Sequence, residues 1–176
     1  RKDDSSTRVL ILVPTRELAN QVFEQALAIT KYTHLTCGVI TGGINYGTDR
    51  ETLAGHCDIL VATPGRLFEH IEQESFDCRD IESLILDEAD RMLALGSADQ
   101  LEDISKQIRS DRQTLLFTAT FPGKLRDAAD SWITDAVTIR CNTMEIQRAP
   151  EIEKKRKLND EGNKEIKEVV DKLSKP

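Results

Sequence analysis

The chain has 176 residues, of which 39% are hydrophobic and 31% are charged, which suits one globular domain with its own core. No apolar run approaches the roughly 18 residues that a membrane-spanning helix needs, so we expect no membrane partner. The formal net charge of −7 argues against a surface that attracts nucleic acid everywhere, but it is compatible with a local basic or amide-lined groove.

Short apolar runs recur along the chain and are separated by helical patterns. Because each run is apolar at consecutive positions, rather than at alternate ones, we expect strands that are buried on both faces. The predicted strands are 9–13, 37–40, 59–62, 84–86, 114–117 and 137–139.

Helical periodicity fills the segments between these runs. Thr63 and Pro64 suit the start of a helix, with threonine as the N-cap and proline at the first helical position. Alternating strands and helices predict an α/β fold of three layers, with helices packed on a largely parallel sheet. The predicted helices are 15–32, 64–73, 98–109 and 123–133.

Residues 142–176 are predicted to form a charged tail outside the domain. The part from 145 to 163 is rich in charge and poor in aliphatic residues, which is typical of a linker or a disordered segment. Residues 164–173 have the spacing of an amphipathic helix that is too short to be stable alone. The basic run 153–157 is more typical of a solvated linker than of a nucleic-acid arm.

The four cysteines are scattered, without the C-x-x-C or Cys/His spacing of a zinc site. This usage predicts free thiols in a reducing compartment, and we therefore expect a cytoplasmic protein. The three histidines are also far apart in the sequence and are interpreted as surface or packing residues.

Polar or glycine-rich clusters follow five of the predicted strands directly. In a parallel sheet the carboxyl ends of the strands share one edge, and ligands of open α/β sheets bind there. One such cluster would be weak evidence, because strand ends need turn residues in any case. The clusters are "PTREL" (14–18), "TGG" (41–43), "TPGR" (63–66), "DEAD" (87–90) and "TAT" (118–120).

The acidic cluster suits a metal-bound nucleoside triphosphate. Mg²⁺ takes one or two carboxylates and keeps several waters, and Asp87, the first residue after the strand, is the candidate ligand, directly or through water. Glu88 is placed to orient or deprotonate an attacking water, and Asp90 to anchor a neighbouring loop. The alternative for Asp87 and Glu88 is an exposed acidic turn that caps the next helix.

The other clusters suit the phosphates of a polyanion. The glycine pair 42–43 lets backbone N–H groups approach phosphates closely, and the helices after Pro14 and Pro64 begin with unpaired N–H groups. The guanidinium forks of Arg16 and Arg66 match phosphate geometry. The alternatives are a plain turn for the glycines and ion pairing within the protein for the arginines.

In order and spacing, "PTRELANQ", "GG", "ATPGR", "ILDEADRML" and "TAT" resemble the motifs of DEAD-box RNA helicases over about residues 8–141. The stretches 33–43 and 76–93 look most like the ribosome-assembly helicases of bacteria. The resemblance implies that residues 1–141 are part of the first of two RecA-like domains, and that the second domain of the same parent chain is a partner.

The resemblance also implies roles for single residues, with ATP, Mg²⁺ and RNA as the ligands. Asp87 and Glu88 would serve Mg²⁺ and ATP hydrolysis, whereas Asp90, Thr118 and Thr120 would couple hydrolysis to strand separation. The residues that would hold the sugar–phosphate backbone of RNA, without reading its sequence, are Pro14, Thr15, Arg16, Gly42, Gly43, Thr63, Pro64, Gly65 and Arg66.

The sequence departs from the family pattern in several places. Thr118 stands where the family usually has serine, which keeps the hydroxyl, and Ser97 stands where an aromatic residue usually follows the glycine. A phosphate-cradling G-x-x-x-x-G-K-[ST] loop is absent, as are the adenine-reading glutamine motif and the second domain. The expected sheet therefore lacks the P-loop strand, which in this fold would neighbour the strand that leads to "TAT".

Two explanations fit this absence. The chain is either a piece of a complete helicase, which the start without methionine favours, or a degenerate relative. In the first case the chain alone should hydrolyse ATP poorly or not at all. The alternative function is a non-catalytic RNA- or protein-binding module on a RecA-like scaffold, and a DNA helicase is a third possibility, because phosphate contacts alone do not distinguish RNA from DNA.

Overall fold

A computed structural model describes residues 6–43 and 45–141 of the chain. Its centre is a sheet of five strands, and every neighbouring pair of strands is parallel. The strand order is β2-β3-β1-β4-β5, so β1 is central and β2 and β5 lie at the edges. The strands are β1 (Val9–Leu12), β2 (Cys37–Ile40), β3 (Ile59–Ala62), β4 (Ser83–Leu86) and β5 (Gln113–Leu116).

Six helices connect or follow these strands within the described residues. None of them is both long and apolar enough to span a membrane. The helices are α1 (Arg16–Thr30), α2 (Tyr46–Ala54), α3 (Pro64–Glu72), α4 (Ala89–Ala94), α5 (Ala98–Gln107) and α6 (Gly123–Trp132).

The hydrophobic core lies mainly on one face of the sheet. Leu10 and Leu12 of β1 point into this larger cluster and are fully buried, together with apolar residues of α3, α5 and α6. The next residues along the strand, Ile11 and Val13, belong to a smaller cluster on the other face, which includes Ala19 of α1. The sheet therefore separates two layers of helices, as the α/β prediction requires.

The strands are less uniformly buried than the consecutive apolar runs predicted. Strands β1, β2 and β4 alternate between fully and partly buried residues, and only β3 has three fully buried residues in succession. The physical reason is that, of the described helices, α1 alone contributes to the smaller cluster. Edge strand β5 is the most exposed, with Leu115 at 37%.

The prediction of a sixth strand at 137–139 is wrong. These residues are not part of the sheet, and the side chains of Val137 and Ile139 are 87% and 81% exposed. An apolar run becomes a strand only where a neighbouring strand pairs with its backbone. The described residues up to Ala136 form one compact unit, and Val137 begins a second. The predicted tail helix at 164–173 lies outside the described residues.

Two short helices, α2 and α4, were not predicted from the sequence. Helix α2 begins after Asn45, whose side-chain oxygen accepts a hydrogen bond from the Gly47 N–H at 2.9 Å and so caps the helix. Helix α4 has six residues and begins after Glu88. The four predicted helices are present, and their ends differ from the predictions by at most two residues.

Arg112 joins three elements at the amino-terminal edge of β5. Its guanidinium group donates to the carbonyl oxygens of Ser105 at 3.2 Å and Trp132 at 3.0 Å, and to the hydroxyl of Thr114 at 3.0 Å. Burial lowers the pKa of Arg112 from its ordinary value. The ends of α5 and α6 are thus held together by one planar side chain with several fixed donors.

A second link between α5 and α6 is formed by Glu102. Its carboxylate accepts hydrogen bonds from the indole N–H of Trp132 and the hydroxyl of Ser131, both at 2.9 Å. The pKa of Glu102 is lowered, first by Ser131 and then by Lys106. Together with Arg112, this carboxylate fixes the carboxyl end of α6 against α5.

Candidate functional site

The five polar clusters meet at one edge of the sheet, as predicted. All strands are parallel, so their carboxyl ends lie side by side, and each cluster follows the last residue of a strand by no more than two positions. The contacts at this edge fall into two groups. The first, called the acidic group, combines the carboxylates that follow β4 with the threonines that follow β5. The second group is rich in glycine and arginine and follows β1, β2 and β3.

Asp87 is the first residue after β4 and is partly buried at the edge of the sheet. Its backbone N–H donates to the carbonyl of Leu12 on β1 at 3.0 Å, which continues the ladder beyond the strand. One carboxylate oxygen, Oδ1, accepts a hydrogen bond from the Glu88 N–H at 2.9 Å. The carboxylate is therefore held in a defined orientation at the carboxyl end of a buried strand.

Glu88 has a left-handed backbone, with φ 50° and ψ 50°. This conformation costs a non-glycine residue about 1–3 kcal/mol, and such strain is concentrated at functional sites. The Glu88 carboxylate is 42% exposed and pairs with Arg91 of α4 at 3.1 Å. Because exposed pairs contribute only about 0–1 kcal/mol, this carboxylate can leave its partner at little cost.

Asp90 connects the acidic cluster to the residues after β5. Its Oδ2 accepts hydrogen bonds from the Thr120 hydroxyl at 2.6 Å and the Thr120 N–H at 3.0 Å. In return, the Asp90 N–H donates to the Thr118 hydroxyl oxygen at 3.2 Å, and that hydroxyl donates to the Thr120 carbonyl at 2.7 Å. The prediction that Asp90 anchors a neighbouring loop is confirmed, and the loop is the one that carries "TAT".

These contacts also explain the electrostatics of Asp90. The hydrogen bond from the Thr120 hydroxyl is the largest cause that lowers the pKa of the Asp90 carboxyl, and the Thr120 N–H and the Thr118 hydroxyl act in the same direction. The Asp90 carboxylate is therefore ionised at neutral pH, and hydrogen bonds from the threonine loop stabilise its negative charge.

The second group brings the glycine pair next to the starts of α1 and α3. The Gly42 N–H donates to the Thr63 hydroxyl oxygen at 3.4 Å. Gly43 has φ +81°, and a Cβ atom added to it would lie 3.0 Å from Nη1 of Arg16. Arg16 therefore crosses over Gly43. The glycine pair therefore lies close to Thr63 and Arg16, whereas Pro64, also predicted to contact RNA, is buried. The positive φ of Gly43 is the structural reason for glycine at that position.

The predicted phosphate-binding residues differ in their surroundings. Thr15 caps α1 by accepting from the Leu18 N–H at 3.2 Å, whereas Thr63 forms no cap bond to α3. The side chain of Arg16 is 49% exposed, and its pairing with Glu17 is long at 4.0 Å. No side chain or backbone atom lies within 4 Å of a Cβ added to Gly65, so the backbone at the start of α3 is open to approach.

Arg66 is in a different position from Arg16. It is 13% exposed, and its Nε donates to Oδ2 of the buried Asp49 at 2.6 Å. Its Nη1 also donates to Glu69 at 3.1 Å, and the ring of Tyr46 lies 4.8 Å from its guanidinium carbon. Ion pairing within the protein was the alternative for this arginine, but Asp49 cannot be identified as the partner from the sequence.

His70 completes this cluster between α2 and α3 and is fully buried. Its ring stacks on Tyr46 with 4.2 Å between centroids, its Nδ1 lies 2.8 Å from the Ser75 hydroxyl, and its Nε2 lies 3.4 Å from Asp49. Arg66 and His70 are four residues apart, so they share a helix face. That spacing was visible in the sequence, but the pairing with another helix was not.

The acidic group also offers the oxygen atoms that Mg²⁺ prefers. Among the described residues, no three histidine, cysteine, aspartate or glutamate side chains are grouped as a ready-made ligand set. This arrangement is compatible with Mg²⁺, which is commonly held by one or two carboxylates, substrate phosphates and water. Asp87 is the first carboxylate after β4 and therefore remains the candidate ligand.

The chain is also similar to known helicases. The family model of the DEAD/DEAH box helicases matches residues 1–128. The chain is 46% identical over 149 residues to the ATP-dependent RNA helicase SrmB of Escherichia coli, covering 84% of the chain and 34% of SrmB. It is also 46% identical over 140 residues to SrmB of Haemophilus influenzae, covering 79% of the chain and 32% of that protein.

The chain thus spans about a third of the length of these curated relatives. Among solved structures, a hypothetical ATP-dependent RNA helicase from Sulfolobus tokodaii matches 74% of this chain and 39% of its own chain, with a TM-score of 0.70 and 34% identity. The predicted fold, a three-layer RecA-like domain with a parallel sheet, is confirmed by this match and by the strand order. The chain belongs to the DEAD/DEAH box helicase family.

Proposed function

We propose that the chain is part of an ATP-dependent RNA helicase that couples ATP hydrolysis to local unwinding of RNA duplexes. The observation that carries the proposal is the direct link from the acidic cluster to "TAT", in which Asp90 accepts two hydrogen bonds from Thr120. A change at the acidic cluster during hydrolysis would be transmitted to the threonine loop without an intermediate residue. The family membership and the names of the relatives support ATP and RNA as ligands.

Asp87 and Glu88 are proposed to serve ATP hydrolysis. Asp87 would hold Mg²⁺, directly or through water, and the ion would stabilise the charge that develops on the phosphates. Glu88 would orient or deprotonate the attacking water, because its carboxylate is 42% exposed and its ion-pair partner among the described residues is a surface arginine.

The glycine and arginine group is proposed to hold the RNA backbone. Three solvent-exposed features lie close together here, namely the open backbone at Gly65, the half-exposed side chain of Arg16 and the glycine pair 42–43. Contacts of this kind position a strand without reading its sequence. The segments concerned are those predicted from the sequence, namely Pro14, Thr15 and Arg16, Gly42 and Gly43, and Thr63 to Arg66.

The wider setting is also a proposal. We place the protein in the cytoplasm, with residues 1–141 in the first of two RecA-like domains and the second domain of the same parent protein closing over the ATP. The resemblance to bacterial ribosome-assembly helicases favours a role in ribosome assembly. The 176-residue chain alone should hydrolyse ATP poorly or not at all, because its sequence contains no G-x-x-x-x-G-K-[ST] loop.

RNA-stimulated ATP hydrolysis by the full-length protein tests the proposal. In the presence of Mg²⁺, single-stranded RNA should increase the rate, and Glu88→Gln should lower kcat about 10²–10⁴-fold while ATP binding is retained. Glu102→Gln, which changes the carboxylate between α5 and α6, is the matched control and should hydrolyse ATP normally.

Three results would argue against this assignment. Unchanged hydrolysis in Glu88→Gln would remove Glu88 from its role. RNA binding without any ATP hydrolysis by the full-length protein would favour the non-catalytic binding module. Robust hydrolysis by residues 1–176 alone would contradict the predicted inactivity of the isolated chain.

A further inference from the structure

The cluster between α2 and α3 has no role in the proposed function so far. Asp49 is 2% exposed and His70 is fully buried, and neither was a candidate site residue. Asp49 and Tyr46 lie in the first turns of α2, directly after the glycine pair, and Arg66 lies in the first turn of α3. The cluster therefore joins the starts of two helices that follow two of the proposed RNA-binding segments.

A buried carboxylate must be paired, because burying a charge without a partner is costly. Asp49 meets this need with the guanidinium of Arg66 at 2.6 Å and the ring of His70 at 3.4 Å. The guanidinium is further enclosed by the ring of Tyr46, which itself stacks on His70. Arg66 is therefore held on two sides by α2.

The charge of Arg66 is also compensated within the protein. Its hydrogen bond to Asp49 is the largest cause that raises its pKa, and Glu69 adds a second carboxylate at 3.1 Å. Arg66 thus faces two carboxylates of the protein, which balance its positive charge inside the fold. Arg16 differs, because its side chain is 49% exposed and its ion pair with Glu17 is long, at 4.0 Å.

We propose that Asp49 and Arg66 are positioning residues, and that Arg66 supports RNA binding from inside the fold rather than by contacting a phosphate. The ion pair of Asp49 and Arg66 fixes the start of α3 beside the glycine pair 42–43, where the Gly42 N–H donates to the Thr63 hydroxyl oxygen at 3.4 Å. Phosphate contact then falls to Arg16 and to the backbone N–H of Gly65, because Pro64 has no N–H and the Thr63 N–H donates to the carbonyl of Ile40. This inference rests on the proposed RNA binding and refines it.

The test measures the KM for a short single-stranded oligouridylate in the ATPase assay of the full-length protein. Asp49→Ala should raise this KM by roughly tenfold, with a larger effect on KM than on kcat. Asp49→Asn, which keeps an oxygen that can accept from Nε of Arg66, should recover part of the loss. Glu102→Gln is the matched control, because it alters a carboxylate that joins two other helices.

Arg66 gives a second and independent measurement. Arg66→Lys keeps the charge but loses the planar fork, so it should raise KM nearly as much as Arg66→Ala. The slope of log K against log salt for RNA binding should be the same in Arg66→Ala as in the wild type. A phosphate contact to a single strand would instead contribute about 0.7 to that slope.

The possible results separate clearly. If Arg66→Ala lowers the slope by about 0.7 and Arg66→Lys binds RNA normally, Arg66 contacts phosphate and the inference is wrong. If Asp49→Ala lowers Tm but leaves the KM for RNA unchanged, the cluster is only structural and the inference is also wrong. If the wild-type protein shows no response to RNA, the proposed function itself fails. If Asp49→Ala does not fold, Asp49→Asn and Arg66→Lys decide.

Discussion

The hydrogen bond between Asp90 and Thr120 can be removed with one substitution of nearly equal shape. Thr120→Val deletes the hydroxyl that donates to Asp90 at 2.6 Å but keeps the Thr120 N–H, which donates at 3.0 Å. Hydrogen bonds to charged groups contribute about 1.5–3 kcal/mol, and water replaces part of this at an exposed site. We expect a loss of about 1 kcal/mol in the free energy of unfolding, or a Tm lower by about 3–5 °C.

The effect should depend on pH in a defined direction. The hydrogen bond lowers the pKa of Asp90 in the folded chain, so its contribution is complete above the ordinary aspartate value of about 3.9. It is lost as pH falls through the lower, folded value. The difference in unfolding free energy between the wild type and Thr120→Val should therefore be full at neutral pH and shrink below about pH 4.

Urea unfolding of the chain, followed by circular dichroism at several pH values, measures this difference. Thr134→Val is the matched control, because Thr134 is also exposed and its side chain forms no hydrogen bond to another described residue. If Thr120→Val is as stable as Thr134→Val at neutral pH, the hydrogen bond from the Thr120 hydroxyl to Asp90 does not contribute to stability in solution. A difference that persists unchanged at acid pH would mean that the ionised form of Asp90 is not responsible.

Two further predictions concern stability and are measured in the same urea experiment. Gly43→Ala should cost about 1–2 kcal/mol, because its φ is +81°, whereas Gly42→Ala, with no neighbouring atom within 4 Å, should cost less than about 0.5 kcal/mol; equal costs would contradict the assigned turn. Arg112→Lys should cost about 2–3 kcal/mol, since an ammonium group cannot reproduce donation to the separate carbonyls of α5 and α6. Arg109→Lys changes an exposed ion pair and should stay within about 0.5 kcal/mol of the wild type; a comparable loss there would show that the planar group of Arg112 is not special.

Much of the fold and of the edge that carries the site could be predicted from the sequence. The strands are recognisable because their apolar runs are short and continuous, although most of them are fully buried on one face only. Parallel pairing then places every cluster at one edge. The neighbourhood of Asp90 and the threonine loop, and that of Gly42 and Thr63, follow from this topology. These predictions needed only strand direction, which the alternation of strands and helices supplies.

Other features depend on contacts between distant residues and could not be predicted in this way. The run at 137–139 has the composition of a strand, but composition does not show whether a partner strand is adjacent. Helix α2 has little apolar periodicity and starts from an asparagine cap, so hydrophobic spacing does not reveal it. The pairing of Asp49 with Arg66 joins two helices whose relative rotation is set only by packing.

The attachment of α6 has a mechanical consequence. Strand β5 is secured by the sheet up to Leu116, and the far end of α6 is secured by the hydrogen bond from Arg112 to the Trp132 carbonyl. If the loop that carries "TAT" moves when Asp90 releases Thr120, helix α6 cannot slide with it unless the hydrogen bond from Arg112 to Trp132 breaks. The movement is then confined to the few residues between Phe117 and Pro122. We expect so short a segment to switch between two conformations rather than to change gradually.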